Sequence, residues 1–212
     1  MRVDRAFAFV DLCGFTAFTE RHGDERAVLV LAQFRTALRE VAARRGVRVV
    51  KWLGDGAMLS STMPEALTAL VIEFDQRMAA EIPSLALRAG LDLGPVIMFE
   101  GDDYIGRSVN VAARLCDAAR AHEILATEAI SRELPGWVDI DVVPRIEVRG
   151  IEGQLAVCRL SLETTGADRE RDPVCGLTIA RRHMTRSETA HGWFCSEACA
   201  TSTSRYPAEQ AV

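Results

Sequence analysis

Two β-rich runs, Val47 to Leu53 and Ala57 to Ser60, are separated only by Gly54-Asp55-Gly56. A link that short obliges its flanking runs to pair antiparallel, so a hairpin is expected here. The segments on either side narrow the fold further. Residues 5–10, Arg-Ala-Phe-Ala-Phe-Val, read as a buried strand that ends at Asp11 and Gly14. From Thr16 to Arg45 apolar residues recur at helical spacing (Ala27, Leu31, Phe34, Leu38, Val41), which predicts one or two amphipathic helices. Beyond the hairpin, Pro64 sits where a first helical turn tolerates it, and the helix from Glu65 to Ala80 is ended by Pro83. Leu85 to Phe99 reads as an extended run broken at Gly94-Pro95, followed by a helix from Arg107 to Ala121 and a strand over Ile124 to Ala126. Two late strands are expected over Val138 to Arg149 and Gln154 to Leu162. This order predicts an α+β fold, a ferredoxin-like βαββαβ sandwich with additional C-terminal strands, plus a small Cys-containing module.

The 212 residues divide accordingly. A domain over 1–162 is followed by a polar stretch, 163–171, with no apolar anchor, which reads as a linker. The remaining segment, 172–212, is too short to bury a sufficient core without a staple. Its cysteines offer one. Cys13, Cys116 and Cys158 are scattered, whereas Cys175, Cys195 and Cys199 crowd into this last segment. In a reducing compartment such crowding points to metal or redox chemistry more than to structural disulfides.

Charge and hydropathy exclude several roles. The net charge of −5 argues against a nucleic-acid partner, which wants a basic face. No apolar run reaches the ~18 residues that cross a bilayer, and the opening apolar stretch is stopped by Asp11, unlike a secretory signal. A cytoplasmic protein with no membrane partner is expected. The 25 basic residues are 24 Arg and one Lys, Lys51, so a compact ammonium stands where the chain otherwise uses planar guanidinium.

The predicted fold brings particular residues together. In a ferredoxin-like sheet the first strand neighbours the hairpin, so Asp11 and Asp55 converge at one edge. Two hard carboxylates suit Mg²⁺, and Gly14 with Phe15-Thr16 opens a helix whose free N–H groups favour anions. Taken singly, Asp11 also reads as a helix cap and Gly-Asp-Gly as a plain turn. Asn110 and Arg114, four apart on one helix face, suit a sugar oxygen and a phosphoryl group. The competing reading pairs Arg114 with Asp117 on the helix surface.

Four ordered segments carry a family resemblance: Phe9-Val10-Asp11-Leu12-Cys13-Gly14-Phe15-Thr16, Lys51-Trp52-Leu53-Gly54-Asp55-Gly56, Arg88 to Val96, and Gly106 to Leu115. Residues 5–162 resemble the class III adenylyl/guanylyl cyclase catalytic domain. The resemblance implies two Mg²⁺ or Mn²⁺ ions held by Asp11 and Asp55, with the Leu12 carbonyl as an extra ligand. It implies that Asn110 orients the ribose and Arg114 stabilises the transition state. Lys51 and Asp103 match the purine-reading pair of the adenylyl branch, and Arg88 and Arg149 fall where cations meet the triphosphate. ATP is the implied substrate. A homodimer is also implied, because the family draws the metal aspartates and the other groups from different chains. The alternative is a non-catalytic, metal-binding signalling or docking protein with a cyclase-like domain. The segment from Val96 to Asp103 is shorter than the arm with which many members clasp their partner.

The tail resembles a YHS-type module over residues 172–207, through Asp172-Pro173-Val174-Cys175-Gly176-Leu177 and Gly192-Trp193-Phe194-Cys195-Ser196-Glu197-Ala198-Cys199. The resemblance implies a soft or borderline ion such as Zn²⁺ or Cu(I) on Cys175, Cys195 and Cys199, with His183 or His191 as a fourth ligand. The aromatic usual after the last Cys is replaced by Thr203, with Tyr206 the nearest substitute. The competing reading is an unstructured tail with reduced thiols.

Overall fold

The computed structural model describes residues 1–100, 103–132, 134–165, 168–188 and 191–203. The chain forms two compact units, one of Met1–Pro135 with Ile140–Ser161, the other of Gly136–Asp139 with the described residues from Leu162 onward.

In the larger unit, β1 (Arg2–Cys13) leads through α1 (Phe15–His22) and α2 (Asp24–Arg45) to the hairpin β2 (Arg48–Leu53) and β3 (Gly56–Ser61). Then come α3 (Pro64–Glu81), β4 (Ala86–Phe99), β5 (Asp103–Ile105), α4 (Arg107–Ala118), β6 (Ile124–Thr127) and α5 (Glu128–Ser131). Two further strands, β7 (Val138–Val142) and β8 (Val157–Leu162), follow. The described strands form one sheet in the order β2-β3-β1-β4-β6-β8-β7, with β5 on the end of β4. The β2-β3-β1-β4 portion is the ferredoxin-like arrangement expected, and the later strands extend it beyond β4.

Alternation along β1 explains the layers. Phe7 and Phe9 face the side on which Ala112 and Val109 of α4 pack. Ala6, Ala8, Val10 and Leu12 point the other way and are buried, as Phe7 is, whereas Phe9 is half-buried. That second face is covered by α3, against which α2 packs through Phe34 and Phe74, their rings 5.2 Å apart and near-perpendicular. Inward-facing residues of this size each contribute about 1.5–3 kcal/mol by leaving water.

Several expectations need correction. Gly94-Pro95 does not break the extended run: β4 continues through both, with Pro95 opposite Asp4. The N–H of Met98 points to Met1 and that of Ala89 to Glu123, so by alternation the Pro95 nitrogen faces away from β1. It falls in the gap between the residues paired with β6 and those paired with β5, where no ladder donor is needed. Helix α4 stops at Ala118, short of Ala121, as Ala119 turns extended. The first late strand ends at Val142; beyond it only an isolated bridge joins Ile146 to Leu155. Pro144, Gly150 and Gly153 interrupt the ladder there.

In the smaller unit, β9 (Arg169–Arg171) pairs with β10 (Thr178–Ala180). A 3₁₀ turn, Arg181–His183, leads to the hairpin β11 (Thr185–Ser187) and β12 (Gly192–Phe194), then α6 (Glu197–Thr203). Part of the polar stretch 163–171 is therefore a strand, and Glu163, 7% exposed, is paired with Arg182 and His183. Leu177, Ile179, Phe194 and Cys199 are buried. Tyr206 lies outside the described residues.

Candidate active site

The sheet register puts Asp11 opposite Gly56 on one side and Arg88 on the other. A Cβ at position 56 would stand 2.6 Å from the Val10 carbonyl oxygen and 3.1 Å from Asp11 Oδ1, so the glycine keeps that carboxylate oxygen open. Arg88 donates from Nε (2.9 Å) and Nη2 (2.5 Å) to Asp11 Oδ2, and from Nη1 to the Asp117 carbonyl at 3.2 Å. Asp55 sits in the β2–β3 turn. That turn is held by Arg35, which donates to the Gly54 carbonyl at 3.2 Å while both Arg35 and Arg39 stack on Trp52. Burial pushes the Asp55 carboxyl up; its own backbone N–H lowers it, the nearby Asp11 charge raises it and Arg88 lowers it. The two carboxylates therefore lie within each other's field, as expected.

Past Asp11, the Leu12 side chain is buried and Gly14 adopts φ +80° as the N-cap of α1. Phe15 and Thr16 open that helix, and its first N–H groups have no side-chain cap. Partly exposed oxygen donors beside uncapped amides suit a hard divalent ion with an anionic ligand.

A second grouping forms away from these. Lys51 on β2 is bonded to Asp103 on β5, and Asp103 also accepts the Tyr104 N–H at 2.8 Å. The Lys51 ammonium, followed by that N–H, holds the Asp103 carboxyl below its ordinary value. The pairing singles out Asp103; the neighbouring Asp102 lies outside the described residues. Asn110 and Arg114 are both exposed on α4, and Arg114 donates to Asp117 at 2.9 Å, so the surface ion pair weighed from spacing is formed. Arg149 is exposed, in no hydrogen bond or ion pair with another described residue. Among the described residues no hydrogen bond or ion pair joins the Lys51–Asp103 pair to Asp11 or Asp55.

Two residues that set this geometry escaped the sequence reading. At Gly90 a Cβ would stand 2.2 Å from Cys116 N and 2.3 Å from the Ala112 carbonyl oxygen, so only glycine lets α4 sit this close to β4. Asp92, 5% exposed, receives the Thr127 hydroxyl and bonds Ser108 in the first turn of α4. An acidic residue inside the otherwise apolar run Leu91 to Val96 was the available signal.

In the smaller unit the three tail cysteines converge. Cys175 and Cys195 sulfurs are 3.5 Å apart and those of Cys195 and Cys199 3.6 Å. The fourth member of the cluster is Asp172, not a histidine; all four potential ligand atoms lie within 4.8 Å of one another. His183 is engaged with Glu163 at 3.1 Å and with Arg182 at 3.1 Å, and His191 is exposed. Hydrogen bonding with Cys195 and Cys199 pushes the Cys175 thiol up.

Comparison with known proteins fits this geometry. Residues 4–161 match the model of the adenylate and guanylate cyclase catalytic domain. An uncharacterised protein of Mycobacterium tuberculosis is 37% identical over 129 residues, which is 61% of this chain and 34% of the relative. The adenylate cyclase of Streptomyces coelicolor is 33% identical over 134 residues, 62% of this chain and 35% of the relative. The chain thus spans about a third of the length of these curated relatives. Among solved structures, the adenylyl cyclase CyaB from P. aeruginosa superposes with a TM-score of 0.66 at 22% identity, covering 78% of this chain and 98% of that one. The guanylate cyclase domain of RhGC from Catenaria anguillulae, solved with GTP, superposes at 0.65 and 19% identity, covering 77% and 100%. The chain belongs to the adenylate and guanylate cyclase catalytic-domain family.

Proposed function

We propose that the chain is an adenylyl cyclase that converts ATP to 3′,5′-cyclic AMP and pyrophosphate as a homodimer with composite sites. The observation that carries the base choice is the Lys51–Asp103 pair. Lys offers only donors and an ionised Asp only acceptors. Adenine presents an acceptor nitrogen beside a donor amino group, which this pair satisfies. Guanine presents the reverse and would leave like facing like, a mismatch that buried sites reject strongly.

Asp11, Asp55 and the Leu12 carbonyl would hold two Mg²⁺ or Mn²⁺ ions, and the donor set fits: both carboxylates are partly exposed and Gly56 leaves Asp11 Oδ1 open. When bound, the ions acidify the ribose 3′-hydroxyl and neutralise phosphate charge. The chain's own groups do the rest. The 3′-oxygen bonds to the α-phosphorus as the bond to pyrophosphate breaks. Asn110 orients the ribose, and Arg114 offsets charge on the transferred phosphoryl group, exchanging Asp117 for it. Gly14, Phe15 and Thr16 receive phosphate oxygens on their amides. Arg88 fixes Asp11 and, with Arg149, supplies positive charge to the triphosphate. Lys51, Asp103, Asn110 and Arg114 act from one protomer on the aspartates of its partner.

The smaller unit would bind a soft or borderline ion through Cys175, Cys195 and Cys199 and modulate the cyclase in response to metal or redox state; the close approach of the three sulfurs supports this.

Complementation tests the shared site. Asp11→Ala and Arg114→Ala are each expected to be inactive, and mixing them should restore one competent site per heterodimer, read as cyclic AMP formed from ATP. No recovery at any mixing ratio, with both variants folded and dimeric, would reject the composite arrangement.

A further inference from the structure

The thiol cluster carries an inference that rests on the ion-binding reading of the smaller unit and deepens it. We propose that Asp172 is the fourth donor of a buried three-sulfur, one-oxygen centre that selects a borderline divalent ion of the zinc class over monovalent copper.

Asp172 is fully buried, as is Cys199, and Cys195 is 5% exposed, while Cys175 is half-buried at the edge of the centre. Its Oδ1 accepts the N–H groups of Val174 at 2.7 Å and Cys175 at 3.0 Å. Its Oδ2 accepts the Cys195 N–H at 2.6 Å. A carboxylate has about four lone-pair directions. Oδ1 has used both of its own, whereas Oδ2 retains one, in a cluster whose four donor atoms lie within 4.8 Å. The sulfur separations of 3.5 and 3.6 Å are close to the edge of a tetrahedron with bonds of about 2.3 Å, which is about 3.8 Å. One carboxylate thus anchors the two turns that carry Cys175 and Cys195 and still presents an oxygen to whatever the thiolates hold.

The histidines cannot take that corner. His183 Nε2 faces Glu163 Oε2 at 3.1 Å and Arg182 Nε at 3.1 Å, while the position a Cβ on Gly136 would occupy is 2.9 Å from its Nδ1. His191 is exposed beside Trp193 and Arg186.

The donor set then selects the ion. Zinc accepts sulfur and carboxylate oxygen in one tetrahedral shell, whereas Cu(I) is satisfied by thiolate and thioether sulfur. Charge points the same way: three thiolates and a carboxylate in a buried site are better offset by a divalent ion than by a monovalent one.

The test uses the full chain loaded with Zn²⁺ and X-ray absorption at the zinc edge. Three sulfurs at about 2.3 Å and one oxygen at about 2.0 Å, without an imidazole shell, are expected. Three sulfurs with an imidazole nitrogen would overturn the role of Asp172 while leaving the tail as an ion-binding unit. Copper(I) bound in place of zinc would overturn the selectivity while leaving the tail as an ion-binding unit, and neither ion bound would overturn both readings. Asp172→Asn supplies a second arm: zinc affinity should fall about 10–100-fold more than copper(I) affinity, which loses only what the fastening of the turns contributes. Equal losses for both ions would show that Asp172 only fastens the two turns. Circular dichroism confirms that the variant folds, and the zinc-edge measurement needs no variant.

Discussion

Asp11 reaches its place at the end of a twelve-residue strand, and Asp55 at the tip of a hairpin with six-residue arms. Cys175 lies between two strands of three residues, Cys195 follows another of three, and Cys199 is on the short helix α6. In the larger unit, register alone decides what faces Asp11, because a one-residue slip would reverse every side chain of β1. Its carboxylates can therefore stay partly exposed, where ligands exchange. The smaller unit has no long ladder to rely on. There one side chain, Asp172, ties the turns of Cys175 and Cys195 through three backbone N–H groups, and three of the four donors are buried, with Cys175 half-buried. Exposure suits ions that come and go with a nucleotide; burial suits an ion that stays.

That contrast breaks most sharply under reciprocal substitution. Asp55→Ala should lower cyclic AMP formation by at least about 10²–10³-fold while leaving zinc content untouched. Cys195→Ser should do the reverse, abolishing stoichiometric zinc while turnover at saturating Mn²⁺ persists and no longer responds to added zinc. Nucleotide turnover and metal analysis on the same preparations check both. If either variant lost both properties, the separation of the two centres would be wrong.

A smaller effect is expected at the Lys51–Asp103 pair, proposed above to read the base. Lys51→Glu with Asp103→Cys should lower the ATP-over-GTP ratio of kcat/KM by about 10–100-fold, while ion dependence is retained. An unchanged ratio would remove the pair from base recognition.

How much of this was legible before the structure depended on the range of the interactions. The strand order, the hairpin turn and the meeting of Asp11 with Asp55 follow from local periodicity and turn chemistry, which the sequence carries within a few residues. The pairing of Lys51 with Asp103 was also within reach, through a donor–acceptor argument joined to a family spacing. What was missed is non-local. Pro95 reads as a break until the neighbours of β4 are known, and those neighbours leave a gap where its nitrogen falls. Gly90 looks like any glycine in an extended run until α4 is laid across it. Asp172 looks like half of an Asp-Pro turn, and only the approach of Cys195 from 23 residues away makes it part of the thiol cluster.

Asp92 offers the finest comparison, because it is the larger unit's counterpart to Asp172: a buried carboxylate that fastens elements together. Its partners are the hydroxyls of Thr127 and Ser108, which can rotate, together with the Leu93 backbone, whereas those of Asp172 are all backbone N–H groups. Burial raises the Asp92 carboxyl above its ordinary 3.8, with the two hydroxyls, the Leu93 backbone and the Arg107 charge only partly offsetting this. A group raised in this way favours the fold most at pH below its unfolded value, and that contribution is lost as pH rises through the folded value. At neutral pH the ionised Asp92 is therefore a cost, which an amide removes while its oxygen still accepts the Thr127 hydroxyl. Asp92→Asn should have a melting temperature at pH 7 equal to or above that of the parent, with the gap closing as pH falls toward 4. Asp92→Ala strands both hydroxyls, and the loss should be about 1–3 kcal/mol. Each kcal/mol corresponds to about 2–4 °C for a chain of this size. Thermal melts across that pH range decide the matter: an amide variant less stable than the parent at pH 7 would mean that the negative charge itself, through Arg107 at the start of α4, holds the helix that carries Asn110 and Arg114.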